Sequence, residues 1–118
     1  MFNGTLFKMK VVEKSEDRFL FEVSFDPSHE VFKGHFPQRP VVPGVLLMQA
    51  VRECFEDATG VGGKMITAGD LKFTNPVVPG EPVMIEVSSV NRGEGVFMIK
   101  SRGFSGDTAY FKINFELK

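Results

Sequence analysis

Gly44-Val45-Leu46-Leu47-Met48-Gln49-Ala50-Val51-Arg52-Glu53-Cys54-Phe55-Glu56-Asp57-Ala58 is the stretch whose periodicity decides the fold of this chain. Leu47, Val51, Cys54 and Ala58 recur at three- and four-residue spacing, which marks one face of a helix over 44–58. Leu46, Met48, Ala50 and Phe55 widen the apolar surface well past a narrow stripe, so the helix is expected to be mostly enclosed. Gln49, Arg52, Glu53 and Glu56 take the remaining arc. Thr59-Gly60-Val61-Gly62-Gly63 then ends the helix, because glycine adopts the left-handed geometry of a C-terminal cap at little cost.

On either side the pattern changes to that of strands. Residues 5–13 and 18–25 are short runs rich in Phe, Val and Leu, separated by the polar Glu13–Asp17, and read as a hairpin. Phe19, Phe21, Val23 and Phe25 alternate with Leu20, Glu22 and Ser24, the two-residue period of a strand with one face buried. Beyond the helix, strands are expected over 65–74, 82–90, 95–104 and 108–117, with turns at Pro76 and Pro79-Gly80, at Asn91-Arg92-Gly93 and at Ser105-Gly106-Asp107. One long apolar helix among six strands has one compact solution, an α+β domain over residues 1–118 whose curved antiparallel sheet wraps the helix.

Between hairpin and helix lies a strap, 28–43, that contains Gly34-His35-Phe36-Pro37 and then Pro40 and Pro43-Gly44. Proline fixes φ near −65° and biases the preceding residue toward extended geometry, so residues 35–43 are expected to be stiff and non-helical, holding His35 in a fixed place. An imidazole near pKa 6.5 beside the free N–H groups of a helix start is suited to carbonyl chemistry.

The run His29–Leu46 resembles the signature of the 3-hydroxyacyl-acyl-carrier-protein dehydratases, which have the hotdog fold, and Leu71–Glu81 resembles that family's strand and turn after the central helix. The resemblance implies a hydro-lyase giving a trans-2-enoyl thioester, with His35 as acid–base group and the Gly44 N–H polarising the thioester carbonyl. It also implies acyl chains carried by acyl-carrier protein or coenzyme A, and a homodimer or an assembly of dimers. Exposed sheet edges make pairing reasonable on their own account. One departure from the pattern matters. The family's helix signature, carboxylate-Ala-x-x-Gln, appears here as Gln49-Ala50-Val51-Arg52-Glu53, with carboxylate and amide exchanged. A helical turn spans about 5.4 Å, so Glu53 does not replace Gln49 without a shifted substrate or an intervening water. A carboxamide orients a hydroxyl but does not shuttle protons at neutral pH. His35, Gly44 and Gln49 are therefore the candidate catalytic residues, and Gly34, Phe36, Pro37, Val45, Met48 and Glu53 the candidate substrate-binding ones. A hotdog acyl thioesterase and a non-catalytic acyl-binding subunit stand as alternatives.

Other features exclude more than they assign. Hydrophobic residues make up 42% and charged residues 25%, ordinary for a globular domain, and thirteen Phe with no Trp point to a core of phenyl rings. A net charge of −1 gives no reason to expect nucleic-acid binding, and Lys33, Arg39, Arg52, Lys64 and Lys72 read as scattered solvated charges rather than a patch. Cys54 lies in the apolar pattern of the helix and is expected to be a buried structural thiol. For His29 a solvated or capping role and contact with a ligand are equally open, and Asp70 and Glu81 read as surface or turn residues. No apolar run reaches a membrane span and the N-terminus has no secretory pattern, so a cytoplasmic protein is expected. No metal-ligand spacing or phosphate loop occurs, and neither reaction needs a cofactor.

Overall fold

The computed structural model of the protein describes residues 6–32 and 40–118, Ala68 by its backbone alone. Strands β1 (Phe7–Lys14) and β2 (Arg18–Phe25) form the expected hairpin, and helix α1 (Gly44–Thr59) follows. Strands β3 (Met65–Phe73), β4 (Val83–Gly93), β5 (Val96–Ser105) and β6 (Thr108–Leu117) complete the chain. All pairings are antiparallel, and the strands form one sheet in the order β1-β2-β4-β5-β6-β3. This is the hotdog fold, with β3 carried across to the far edge beside β6.

Alternation places the core. Phe19, Phe21, Val23 and Phe25 of β2 are buried, as are Val83, Ile85 and Val87 of β4 and Phe111, Ile113, Phe115 and Leu117 of β6. Register sets Phe21 opposite Ile85 and Ile113 opposite Ser101, so the rows meet α1 as a continuous apolar floor. Buried Ser101 fits there because its hydroxyl donates to the Ile113 carbonyl at 2.7 Å. From above, Leu47, Ala50, Val51, Cys54, Phe55 and Ala58 of α1 close the core, with α1 packed on β1, β2 and β4. Each large apolar side chain so enclosed stabilises the fold by roughly 1.5–3 kcal/mol. Phenyl rings dominate, as composition suggested; Phe7 meets Phe25 at 5.3 Å and Phe55 meets Phe97 at 5.6 Å between centroids.

The ends of α1 are both set by local chemistry. Pro43 takes φ −60° and ψ 148°, and its carbonyl accepts from the N–H groups of Leu46 and Leu47. At the other end Gly60 adopts φ 76° and donates its N–H to the Glu56 carbonyl at 2.7 Å, the left-handed cap foreseen for this glycine-rich stretch. One expectation for the helix is corrected. Glu53 belongs with the polar arc by sequence, yet it is only 5% exposed and sits at the margin of the enclosed face.

The strap begins with a 3₁₀ turn over Glu30–Phe32 that periodicity did not reveal. Its cause is Asp26, whose carboxylate accepts from the Ser28 N–H at 2.9 Å and the Ser28 hydroxyl at 2.7 Å, while its carbonyl accepts from the His29 N–H. Those Ser28 bonds hold the Asp26 carboxyl below its ordinary pKa.

Candidate functional site around the helix start

The strap and the turn after β3 are joined where α1 begins. Val42 donates its N–H to the Val77 carbonyl at 2.8 Å, which brings together the two stretches that carry the sequence resemblance. A groove of about 340 Å³ opens there, lined by Val41, Pro43, Gly44 and Leu47 on one side and by Phe73 and Pro76 on the other. Its walls are mainly apolar, and the first backbone N–H groups of a helix have no acceptor within the helix itself. An apolar channel ending at such donors suits a hydrocarbon chain joined to a polarisable carbonyl.

What an added side chain at 44 would meet is a close approach, not a forbidden backbone angle. A Cβ at that position would lie 2.8 Å from Cζ of Phe73. Phe73 is thus a groove residue that sequence reasoning missed, although it belongs to the second resembling stretch. The signal was available in that strand's last apolar position, immediately before the Thr74-Asn75-Pro76 turn.

Each expected site residue has a distinct position. Gly44 lines the groove, whereas Val45 projects outward at 70% exposure and does not. Met48 is half-buried against the core. Gln49 is half-buried and donates its Nε2–H to Oε2 of Glu53 at 2.8 Å, so the exchanged amide and carboxylate are directly bonded one helical turn apart. His35, Gly34, Phe36 and Pro37 lie outside the described residues, as do Lys33 and Arg39.

Neighbouring polar groups have structural work. His29 accepts the Val31 N–H on Nδ1 at 3.1 Å, the capping arrangement among the alternatives open for it. Arg52 donates to the Gly63 carbonyl and so ties α1 to the segment leading into β3. Lys64 and Lys72 are exposed, in keeping with scattered charges, and so are Asp70 and Glu81. Cys54 is fully buried, and desolvation, aided by the nearby Asp57 and Glu53 charges, pushes its thiol far above the ordinary range, which removes it as a nucleophile. Among the described residues no cluster of three or more His, Cys, Asp or Glu side chains is placed to hold a metal ion. Among them, too, no helix is long and apolar enough to cross a membrane.

Comparison with known proteins gives a consistent result. The profile of the ApeI-like family, described as ApeI dehydratase, matches residues 11–109. A 3-hydroxyacyl-[acyl-carrier-protein] dehydratase FabZ of Thermus thermophilus is 34% identical over 104 residues, covering 78% of this chain and 72% of that protein. The FabZ of Rhizorhabdus wittichii is 30% identical over 93 residues, and this chain spans only 59% of its length. Among solved structures, the dehydratase heterocomplex ApeI:P from Xenorhabdus doucetiae superposes with a TM-score of 0.76 at 18% identity, covering 94% of this chain and 99% of that one. A hypothetical thioesterase with coenzyme A from Streptococcus pneumoniae superposes with a TM-score of 0.70 at 8% identity, covering 93% of this chain and 84% of that one, so the fold alone spans both activities.

Proposed function

This chain belongs to the ApeI-like dehydratase family, and we propose that it eliminates water from a 3-hydroxyacyl thioester to give the trans-2-enoyl thioester. The acyl group is carried on acyl-carrier protein or coenzyme A. One observation carries the reading: an apolar groove of about 340 Å³ runs to Gly44 at the start of α1, beside the strap whose sequence holds His35.

In this mechanism the thioester carbonyl accepts the Gly44 N–H at the positive end of the helix dipole. Charge developing on that oxygen as the α-proton leaves is stabilised there, an effect worth on the order of 10²–10³ in rate. His35 takes the proton from C2, the C2–H electron pair becomes the C2=C3 bond, and the C3–O bond breaks. The imidazolium returns the same proton to the departing hydroxyl, which leaves as water. Gln49 orients that hydroxyl without exchanging a proton, so His35 serves as base and acid in turn. Gly34, Phe36, Pro37, Val45 and Met48 are proposed to contact the acyl group, Val45 from the side of the helix that a second copy would cover.

The assembly proposed is a homodimer. What supports it is the free edge of β3, where Ile66, Leu71 and Phe73 are 49%, 42% and 49% exposed beside the outward Val45.

The test is hydration of a crotonyl thioester, the reverse reaction, with free thiol followed in the same cuvette. Purified protein is expected to consume the enoyl group without releasing thiol, and His35→Ala to abolish consumption. Equal rates in the two proteins reject His35, and thiol release identifies a hydrolase instead.

A further inference from the structure

The bond between Gln49 and Glu53 assigns a part to a residue that the reaction does not touch. We infer that Glu53 is a positioning residue that fixes the Gln49 carboxamide with its oxygen committed to the 3-hydroxyl group of the substrate. This rests on the dehydratase reading for the identity of that hydroxyl.

The argument starts from an ambiguity in the amide. A carboxamide carries a donor branch and an acceptor branch of nearly the same shape, and an unrestrained Gln presents either one. A carboxylate accepts only. With Oε2 of Glu53 2.8 Å from Nε2 of Gln49, the donor branch is used and Oε1 is left on the other branch of the planar group. Glu53 is 5% exposed, so water does not compete well for that bond, and a charge-assisted hydrogen bond in such surroundings is strong. The two residues are four apart on α1, so the helix itself holds them in register.

The consequence is directional. An Oε1 acceptor takes the O–H of a 3-hydroxyacyl group as donor, which leaves the lone pairs of that oxygen free to receive the proton from the imidazolium. The reversed amide would donate into one of those lone pairs and compete with protonation of the leaving group. Exchanging carboxylate and amide along the helix thus yields an acceptor at position 49 that recognises the hydroxyl without supplying a proton.

Two measurements on the full chain test this. In the first, the side-chain amide signals of Gln49, assigned by their loss in Gln49→Leu, are followed by nuclear magnetic resonance. They are expected to shift on Glu53→Gln; signals indifferent to that substitution overturn the inference. The second measures dissociation constants in a His35→Ala background, where nothing turns over, for a 3-hydroxybutyryl and a butyryl thioester. Glu53→Gln is expected to weaken the hydroxylated ligand about tenfold, the order of one charge-assisted hydrogen bond, and to leave the saturated one unchanged. Equal weakening of both marks Glu53 as merely structural and overturns the inference, as does no weakening of either. If wild-type protein lacks dehydratase and hydratase turnover, the reaction assignment fails, while the resonance measurement still decides the Gln49–Glu53 orientation.

Discussion

Gln49 is the residue at which this chain departs from the pattern it otherwise follows, and its surroundings say what restoring the pattern would do. Gln49→Glu puts a second carboxylate 2.8 Å from Glu53. Two like charges at that distance do not both ionise, so one carboxyl of the pair keeps its proton well above the usual carboxylate range. That proton is what the native amide lacks. A folded Gln49→Glu variant is expected to dehydrate 3-hydroxyacyl thioesters about tenfold faster or more, by regaining part of a general-acid contribution of about 10²–10⁴. Its stability runs the opposite way with pH from a salt-bridged acid: a raised folded pKa means the pair is favourable below it and loses stability as pH rises through it. Unchanged or slower turnover in the folded variant rejects the role given to position 49. Gly44→Ala probes the other end of the site. The added methyl meets the half-exposed Phe73 ring, which has room to swing outward, and alanine is the better helix former by about 1 kcal/mol. Thermal stability is therefore expected to hold within about 1 kcal/mol, while the KM for acyl thioesters rises. A drop in stability without a change in KM would separate Gly44 from the groove.

At the scale of elements, strands β2, β4 and β5 are stitched on their outer face by one carboxylate between two guanidiniums. Glu86 accepts from Nε of Arg102 and Nε of Arg18, each at 3.0 Å, and Arg102 also lies 4.3 Å over the Phe104 ring. The Arg102 bond first, and the Arg18 bond after it, hold the Glu86 carboxyl below its ordinary pKa against the cost of partial burial. A depressed folded pKa contributes stability above the unfolded carboxylate value, near 4.3, and loses it as pH falls through the lower folded value. Both arginines are well exposed and screened, so Glu86→Gln is expected to cost no more than about 1 kcal/mol at neutral pH. The difference from wild type, read by denaturant titration, should begin to shrink as pH falls below about 4.3, vanish below the depressed folded value, and shrink in about 1 M salt. The elements themselves were legible because each has a period. The alternation of Phe19, Phe21, Val23 and Phe25 and the helical spacing of Leu47, Val51, Cys54 and Ala58 gave strands and helix within a few residues of their observed ends. What the periods do not contain is neighbourhood. Nothing local in Met65–Phe73 says that it pairs with β6 rather than β4, and the burial of Glu53 depends on what covers the margin of the helix. The groove was half legible: Gly44 through its motif, Phe73 only once β3 is laid beside the helix start.

For the whole molecule, the two edges of the sheet differ in chemistry. β1 carries Lys8, Lys10 and Lys14, and its register with β2 slips between Val11 and Glu13. Both edge ladders are irregular, so the difference lies in the lysines, a feature by which proteins discourage a strand from pairing further. β3 at the opposite edge exposes Ile66, Leu71 and Phe73 with one lysine, Lys72, among them, whereas the exposed Val11 and Val12 of β1 lie among three. Leu71→Lys is accordingly expected to shift the proposed dimer to monomer in sedimentation, whereas Lys10→Ala is expected to leave it intact. A monomeric wild type, or a Leu71→Lys protein that still sediments as a dimer, removes β3 from the interface.

Under the proposed pairing, that asymmetry would favour a valence of one for each copy. Two molecules joined through β3 would leave outermost the β1 borders, where Lys8, Lys10 and Lys14 flank the exposed Val11 and Val12. Ammonium groups on that outer border would oppose stacking into ribbons, so pairing through β3 would tend to stop at two copies even for a chain as rich in phenylalanine as this one.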